Sequence, residues 1–173
     1  MTYTSIVVQP CPPREYLLNG GTLEEMKSRW GIEAKRHGLY PNLVQLKYSQ
    51  IASPMDLPIV QESRGLILDQ DDDWRVVAWP FKKFFNHGEL LAASVDWATA
   101  KVQEKLDGSM MILYCYDGAW HVGTSGMPDA AGMVHGTNKL FRHLFWDTWY
   151  EARWTEPIVV NKMFTFMFEL MSP

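Results

Sequence analysis

An apolar run of eight residues, SMMILYCY (109–116), is bracketed by two Asp-Gly pairs, and this constrains the fold more than any other feature of the sequence. Asp-Gly beside apolar residues is a strong signal for a tight turn between antiparallel strands. We therefore predict a strand over 109–116 with a turn at each end, at Asp107-Gly108 and at Asp117-Gly118. The neighbouring stretches KVQEKL (101–106) and AWHVGTS (119–125) are predicted to be adjoining strands.

Other short β-branched or apolar stretches are separated by turn residues in the same way. They predict strands over LVQLKY (43–48), RGLILD (64–69), RVVAWP (75–80) and the C-terminal MFTFMFELMSP (163–173). The acidic run DQDDDW between the second and third of these is interpreted as a hairpin tip. The Gly and the distal Glu of a calcium-binding loop are missing from it.

Two segments show the helical spacing of apolar residues. The first begins with a capping box of Thr22 and Glu25 and is expected to end at Gly38; its apolar stripe consists of Leu23, Met26, Trp30 and Ala34. The second lies within GTNKLFRHLFWDTWYEARW (136–154). The whole pattern predicts an α+β protein of mainly antiparallel sheets with flanking helices.

Composition excludes several classes of protein. With 173 residues, 47% of them hydrophobic and 13% aromatic, the chain can form one domain with a substantial core and is not intrinsically disordered. A formal net charge of −4 gives no global reason for nucleic-acid binding, which would depend on a local basic patch. Two distant cysteines, no signal peptide and no membrane-length apolar run lead us to expect a soluble cytoplasmic protein.

Four short motifs contain the residues that could perform chemistry. Lys105 precedes the first Asp-Gly in KLDGS, Arg64 opens the strand RGLILD, and WPFKKFFN (79–86) is a basic-aromatic cluster. Glu169 is a lone carboxylate in an aromatic strand, where an unpaired charge is costly. Each has a simpler explanation, such as a surface lysine at the foot of a hairpin or an edge strand protected by charge. The histidines show no metal-ligand spacing and are interpreted as surface or satisfied polar residues.

In their order and spacing, these motifs resemble the phage RNA ligase 1 family of ATP-dependent RNA ligases, within the covalent nucleotidyltransferases. The resemblance covers roughly residues 60 to 173. It implies that 1–173 is a single domain, the N-terminal part of an ATP-grasp-like adenylylation domain. Within it, 1–60 is a helix-containing section and 61–173 carries the motifs.

The resemblance also implies a role for each matched residue. Lys105 would be the nucleophile that attacks the α-phosphate of ATP and carries AMP. Its amine must lose a proton first, which partial burial and nearby cations are expected to favour. The other implied contacts are those of Arg64 (sugar or terminal phosphates), Lys83 (phosphate), Phe85 (packing on the nucleotide), Glu104 (adenine, through its backbone), Gly108 (close approach of the backbone) and Glu169 (ribose, or water bound to a metal).

The implied reaction passes AMP from Lys105 to an RNA 5′-phosphate, after which a 3′-hydroxyl seals the break. Magnesium is implied as well, with Glu169 as its candidate ligand. Two alternatives are open. A DNA ligase or a capping guanylyltransferase also uses a Lys-x-Asp-Gly motif, although the KFFN segment argues against both of these enzymes. A catalytically incomplete module that binds nucleotide or a partner chain is the other.

Two departures from the family pattern bear on these alternatives. Ser125, in GTSGM, stands where the family usually has a basic residue, so Lys139 is considered as a substitute. The family's later Glu-Gly and Lys-x-Lys strands do not occur in the sequence. We therefore expect an N-terminal portion of a longer ligase, a natural truncation, or a fragment that needs the C-terminal part as its partner. Such a chain alone is expected to adenylylate poorly or not at all.

Overall fold

The computed structural model describes residues 9–154 and 162–171, which form two antiparallel sheets with helices against them. The helices are α1 (Pro12–Leu18), α2 (Leu23–Trp30), α3 (Pro58–Glu62) and α4 (Phe141–Glu151); the strands are β1 (Ile32–Arg36), β2 (Leu43–Tyr48), β3 (Arg64–Asp69), β4 (Arg75–Ala78), β5 (Ser109–Tyr116), β6 (Ala119–Thr124) and β7 (Phe166–Leu170). The strand order is β1-β2-β3-β4 in the first sheet and β6-β5-β7 in the second. The predicted α+β class of mainly antiparallel sheets is confirmed.

The first sheet is covered on both faces. On its outer face, Leu46 and Leu66 pack with Met26 of α2 and Val60 of α3, and all four are fully buried. On its inner face, Ile67 belongs to a cluster shared with the second sheet. Burial of each such side chain away from water stabilises the fold by about 1.5–3 kcal/mol. The packing on both faces therefore holds this sheet in place.

Strand β5 lies at the centre of the molecule because it contributes to two cores. Ile112 and Tyr114 pack between the sheets, whereas Met111 and Leu113 pack with Phe145 of α4. Successive side chains of a strand point to opposite faces, which accounts for this alternation. β5 is therefore held from both sides along most of its length.

A polar network joins the two sheets beside this core. The Tyr116 hydroxyl donates to Asp69 Oδ2 (2.8 Å), and Asn42 Nδ2 donates both to Asp69 Oδ1 (2.7 Å) and to the Tyr116 hydroxyl (2.7 Å). Arg75 lies 3.4 Å from the same carboxylate, which is buried. A buried carboxylate is tolerated only with such partners, so the network ties the sheets in one relative position.

Several predicted elements are confirmed. Strands over 43–48, 64–69 and 109–116 have the expected bounds, and the acidic run between β3 and β4 forms a turn. The Asp117-Gly118 turn has positive φ at both residues (48° and 77°), as a tight hairpin turn between β5 and β6 requires. Within the described residues, no helix is long and apolar enough to cross a membrane.

The predicted extent of the first helix is wrong at its C-terminal end. The capping box is present, with Glu25 N donating to Thr22 Oγ1 (3.1 Å) and Thr22 N donating to Glu25 Oε2 (2.9 Å). The helix nevertheless ends at Trp30, because Gly31 adopts a left-handed conformation (φ 64°). Ile32 then begins β1, an element that the sequence analysis did not predict.

The predicted strand over 101–106 is also wrong. Residues 79–108 contain neither helix nor strand, and Val102 and Leu106 are 93% and 47% exposed. The side chains alternate as in a strand, but no apolar surface covers them. Asp107-Gly108 is consequently a bend before β5 rather than a hairpin turn, and neither residue has a positive φ.

Candidate functional site

A cleft of about 410 Å³ opens between the two sheets. Its volume lies within the range of small-molecule sites. We call it the lysine-lined cleft; it is bounded by Lys35 of β1, Lys47 of β2, the start of β5 (108–110), the end of β6 with the following loop (124–127), Gly132 and Phe141.

Two predicted site residues that are far apart in the sequence meet at the edge of this cleft. The Gly108 amide donates to Glu169 Oε1 (2.9 Å) across 61 residues of sequence, because β7 pairs with the beginning of β5. Gly108 is required here, since a Cβ atom would lie 2.4 Å from the carbonyl oxygen of Leu170. The Lys-x-Asp-Gly motif is thereby anchored at its glycine, and Glu169 gains a partner for its charge.

Lys105 lies three residues before this anchor and projects into solvent. Its side chain is 82% exposed, and its ammonium is 3.9 Å from Asp107 Oδ1. The expected partial burial of Lys105 is therefore wrong. The cations expected beside it are each placed over a phenylalanine ring, Arg64 over Phe84 and Lys83 over Phe85. Glu104 is also exposed.

Arg64 has the most constrained of the predicted cationic side chains. Its guanidinium lies over the Phe84 ring, 4.8 Å from the centroid, and its Nη1 is buried without a hydrogen-bond partner among the described residues. Glu62, two residues before Arg64 in the sequence, accepts from the Trp79 indole (2.7 Å). An unsatisfied buried donor is costly, and an anionic ligand would satisfy it.

The residue after Arg64 brings this motif against the cleft. Gly65 has φ 94°, and a Cβ atom there would lie 2.8 Å from Ile112 Cδ1 and 3.3 Å from the Cα of Ser125. Only glycine combines this backbone conformation with so close an approach. The Arg-Gly motif and the loop after β6 are therefore in direct contact.

Lys83 is held beside Arg64 through its backbone. The Lys83 amide donates to the carbonyl of Gln61 (2.7 Å), which lies three residues before Arg64 in the sequence. The Lys83 ammonium lies 4.8 Å from the centroid of the Phe85 ring, a cation–π contact. Phe85 is half-buried, whereas Phe84 is 60% exposed.

The sequence analysis missed two polar residues that face the lysine-lined cleft or its base. The Lys47 side chain passes directly over Gly126, so that a Cβ atom at Gly126 would lie 2.7 Å from the Nζ of Lys47. Gln45 is buried; its Nε2 donates to the Thr124 carbonyl (2.8 Å), and its Oε1 has no partner among the described residues. The only available signal was that both interrupt the apolar strand LVQLKY.

Lys139, considered as a replacement for the cation missing at Ser125, is engaged elsewhere. Its ammonium lies 2.7 Å from Asp147 Oδ2, and this hydrogen bond raises the pKa of Lys139 above its ordinary value. Ser125 itself lines the cleft together with Lys47. The structure therefore places Lys35 and Lys47, rather than Lys139, as the cations at this cleft among the described residues.

A metal ion would find few protein ligands in the part of the chain that the structure describes. No group of three or more His, Cys, Asp or Glu residues there could hold one. Glu169 offers a single carboxylate, already bonded to Gly108. This donor set fits a magnesium ion held mainly by ligand phosphates and water, the arrangement common in nucleotide sites.

Comparisons with known proteins cover the residues that form this site. A family model described as RNA ligase matches residues 62–173. The chain is 30% identical, over 175 residues, to an "RNA ligase" of Rhodothermus phage RM378, covering 83% of this chain and 39% of the phage protein. It is 32% identical, over 121 residues, to a "Putative bifunctional polynucleotide kinase/RNA ligase" of Autographa californica nuclear polyhedrosis virus, covering 64% of this chain and 17% of the viral protein. The chain thus spans about two fifths of the first relative's length and about one sixth of the second's.

Proposed function

The chain belongs to the RNA ligase family, and on this premise we propose that it is the N-terminal, nucleotide-binding part of an ATP-dependent RNA ligase. The observation that carries the proposal is the bond between the Gly108 amide and Glu169 at the edge of the lysine-lined cleft. It brings two motifs that are distant in the sequence together beside a cleft of suitable size. Lys105 lies three residues before Gly108, so the anchor holds the end of its segment at this cleft.

In the proposed first step, the Lys105 amine attacks the α-phosphorus of ATP. A bond forms between Nζ and phosphorus, the bond from phosphorus to the pyrophosphate oxygen breaks, and the amine loses its proton. Because the Lys105 side chain is 82% exposed, the segment before Gly108 would have to move toward the cleft for this step. Bound ATP, which adds negative charge, would favour that movement.

We assign the nucleotide contacts to residues whose bonding capacity is unfilled. The buried Nη1 of Arg64 and the ammonium of Lys83 would bind phosphate oxygens, and Gly108 would allow the backbone to approach the nucleotide. Phe85 would pack near the base, and the Glu104 backbone would lie beside the adenine. A magnesium ion, when bound, would neutralise phosphate charge, and Glu169 would hold its bound water or the ribose.

In the later steps, AMP would pass to an RNA 5′-phosphate and an RNA 3′-hydroxyl would then seal the break. The substrates are therefore RNA ends with a 5′-phosphate and a 3′-hydroxyl, and we place the reaction, a form of RNA repair, in the cytoplasm. The activity of a complete ligase would also involve the part that the longer relatives have and this chain does not match.

One observation favours a second candidate, a module that binds nucleotide without transferring it. The Lys105 side chain is 82% exposed, lies 3.9 Å from Asp107 Oδ1 and is not among the described residues that line the cleft. In such a module the cleft would bind ATP, while Lys105 would stay unmodified.

The test is self-labelling of the chain with α-labelled ATP and magnesium, followed by a denaturing gel. We expect weak label on the wild type, since the chain matches only part of its relatives, loss of more than 90% of that label in Lys105→Ala, and the wild-type level in Lys101→Ala. Lys101 is a matched control, since it is exposed in the same segment. Label that persists in Lys105→Ala would contradict the nucleophile assignment, and labelling by GTP in place of ATP would favour a capping enzyme. An unlabelled wild type that still binds ATP in a filter assay would favour the binding module.

A further inference from the structure

A second cleft, of about 510 Å³, adjoins the lysine-lined cleft. One loop borders both: Met127 and Gly132 line the first cleft, whereas Asp129 and Ala131 line the second. Strand β6 is also shared, with Thr124 at the first cleft and its opposite end, residues 120–122, at the second. At about 3.3 Å per residue, the two clefts lie on the order of 10 Å apart along this strand.

Aromatic and cationic side chains face each other across the second cleft, which we call the indole-lined cleft. Trp120 comes from β6 and Trp146 from α4, and both are half-buried. Arg142, one turn before Trp146, is 40% exposed and lies 4.0 Å from Asp129 Oδ2, a distance that leaves most of its donors free. Aromatic rings that stack on bases and guanidinium groups that bind phosphates are the usual elements of single-stranded RNA sites.

Two histidines supply uncharged hydrogen-bonding groups to the same cleft. His37 Nδ1 accepts from the amides of Leu39 (3.1 Å) and Tyr40 (3.2 Å), so the proton of the neutral ring lies on Nε2. His121 Nε2 is 3.3 Å from the Tyr116 carbonyl and donates to it, which leaves Nδ1 as an acceptor. Burial lowers the pKa of both histidines, so they are neutral at physiological pH. From the sequence, both histidines were interpreted as surface or satisfied polar residues.

The charge of the cleft favours a strand over a free polyphosphate. Among the described residues that line it, Arg142 is the one permanently cationic side chain, and Asp129 partly offsets that charge. A second molecule of ATP would bring several negative charges against this carboxylate. A single phosphodiester with a stacked base matches one guanidinium, two indoles and two neutral imidazoles.

We propose that the indole-lined cleft binds a nucleotide of the RNA strand that receives AMP, with its base against Trp120 or Trp146 and its phosphate on Arg142. This inference rests on the proposed function and deepens it, since it names where the RNA substrate contacts this part of the ligase. The common border with the lysine-lined cleft places the bound strand beside the nucleotide to be transferred.

The experiment separates RNA binding from the first chemical step. Affinity for a fluorescein-labelled, single-stranded RNA carrying a 5′-phosphate is measured by fluorescence anisotropy, and self-labelling with α-labelled ATP is measured on the same samples. Arg142→Gln and Trp146→Ala are expected to weaken RNA binding about tenfold while self-labelling stays within twofold of the wild type. Trp146→Phe, which retains a stacking ring, is expected to recover most of the affinity.

Matched controls exist on the opposite side of the first sheet. Arg29 and Trp30 form a cation–π pair of their own, 4.9 Å from guanidinium carbon to ring centroid, and line neither cleft. Arg29→Gln is expected to leave RNA affinity unchanged. Equal RNA affinity of the wild type, Arg142→Gln and Trp146→Ala would overturn the inference, as would equal loss in Arg29→Gln. Failure of the wild type to self-label would bear on the proposed adenylylation and not on this inference, because the anisotropy measurement does not require Lys105 chemistry.

Discussion

The two sheets pack around a shared core, whereas the segment 79–108 between them is largely exposed. The sheets share a core around β5 and are joined by the buried network of Asp69, Asn42 and Tyr116. In the segment, Leu90, Trp97 and Val102 are 97%, 68% and 93% exposed, and no helix or strand forms. The proposed nucleophile, Lys105, lies in the segment, whereas its anchor and the clefts belong to the sheets. The difference shows that the packed sheets determine the shape of the cleft, whereas the segment that carries Lys105 is held by few packed contacts.

The largest expected difference between the two regions is in their susceptibility to proteolysis. Segments with exposed side chains and few packed contacts open with little free-energy cost, so proteases cleave them first. Under native conditions trypsin is expected to cut after Lys82, Lys83, Lys101 or Lys105 at least about ten times faster than within β2 or β3. Mass spectrometry of the early fragments measures this. First cuts inside the strands would contradict the comparison.

The next difference is in the free energy of unfolding when one apolar side chain is shortened. Ile112→Ala, at a fully buried position between the sheets, is expected to cost about 2–4 kcal/mol through lost burial and the cavity left behind. Val102→Ala, at a position that is 93% exposed, is expected to change stability by less than about 0.5 kcal/mol. Urea titration of both variants measures the free energies, and comparable losses would show that the segment is packed after all.

The smallest effect is expected where the segment joins the framework. Gly108→Ala places a methyl group 2.4 Å from the Leu170 carbonyl oxygen and is expected to cost about 1–2 kcal/mol. Gly132→Ala is the matched control, because its nearest neighbour, Phe141 Cδ2, would be 3.6 Å away. That variant is expected to be neutral or about 0.5 kcal/mol more stable, since alanine restricts the unfolded chain. Thermal unfolding of both measures the contrast, and a stable Gly108→Ala would mean that β7 does not hold the motif.

The sequence correctly predicted those parts of the fold whose structure is determined by residues close together in the chain. β5 is flanked by turn signals and carries an uninterrupted apolar run, so its bounds followed from neighbouring residues. β1 was missed because Trp30 and Ala34 suit a helical stripe as well as a strand, and the left-handed Gly31 decided the outcome. The strand predicted over 101–106 is absent for a different reason. Its apolar and polar residues do alternate, but no other element covers the apolar side chains.

The candidate site was predictable where motifs recur in a known order and not where it depends on packing. The order of motifs indicated that Glu169 belongs with Lys105 and Gly108, and the structure brings Glu169 to Gly108. Lys47 and Gln45 reach the lysine-lined cleft only because β2 lies opposite the loop after β6, a contact that no local pattern encodes. The indole-lined cleft was missed for the same reason, as its side chains come from four separate parts of the chain.

The bond from Gly108 to Glu169 has a consequence for the order in which the molecule assembles. The β5–β6 hairpin closes over a two-residue turn, whereas this bond closes a loop of 61 residues and therefore costs more chain entropy. Local pairings form before such long-range ones, so β7 is expected to dock late. During synthesis, Lys105 emerges well before the strand that anchors its motif. The proposed nucleotide site would therefore be complete only after β7 has docked on β5.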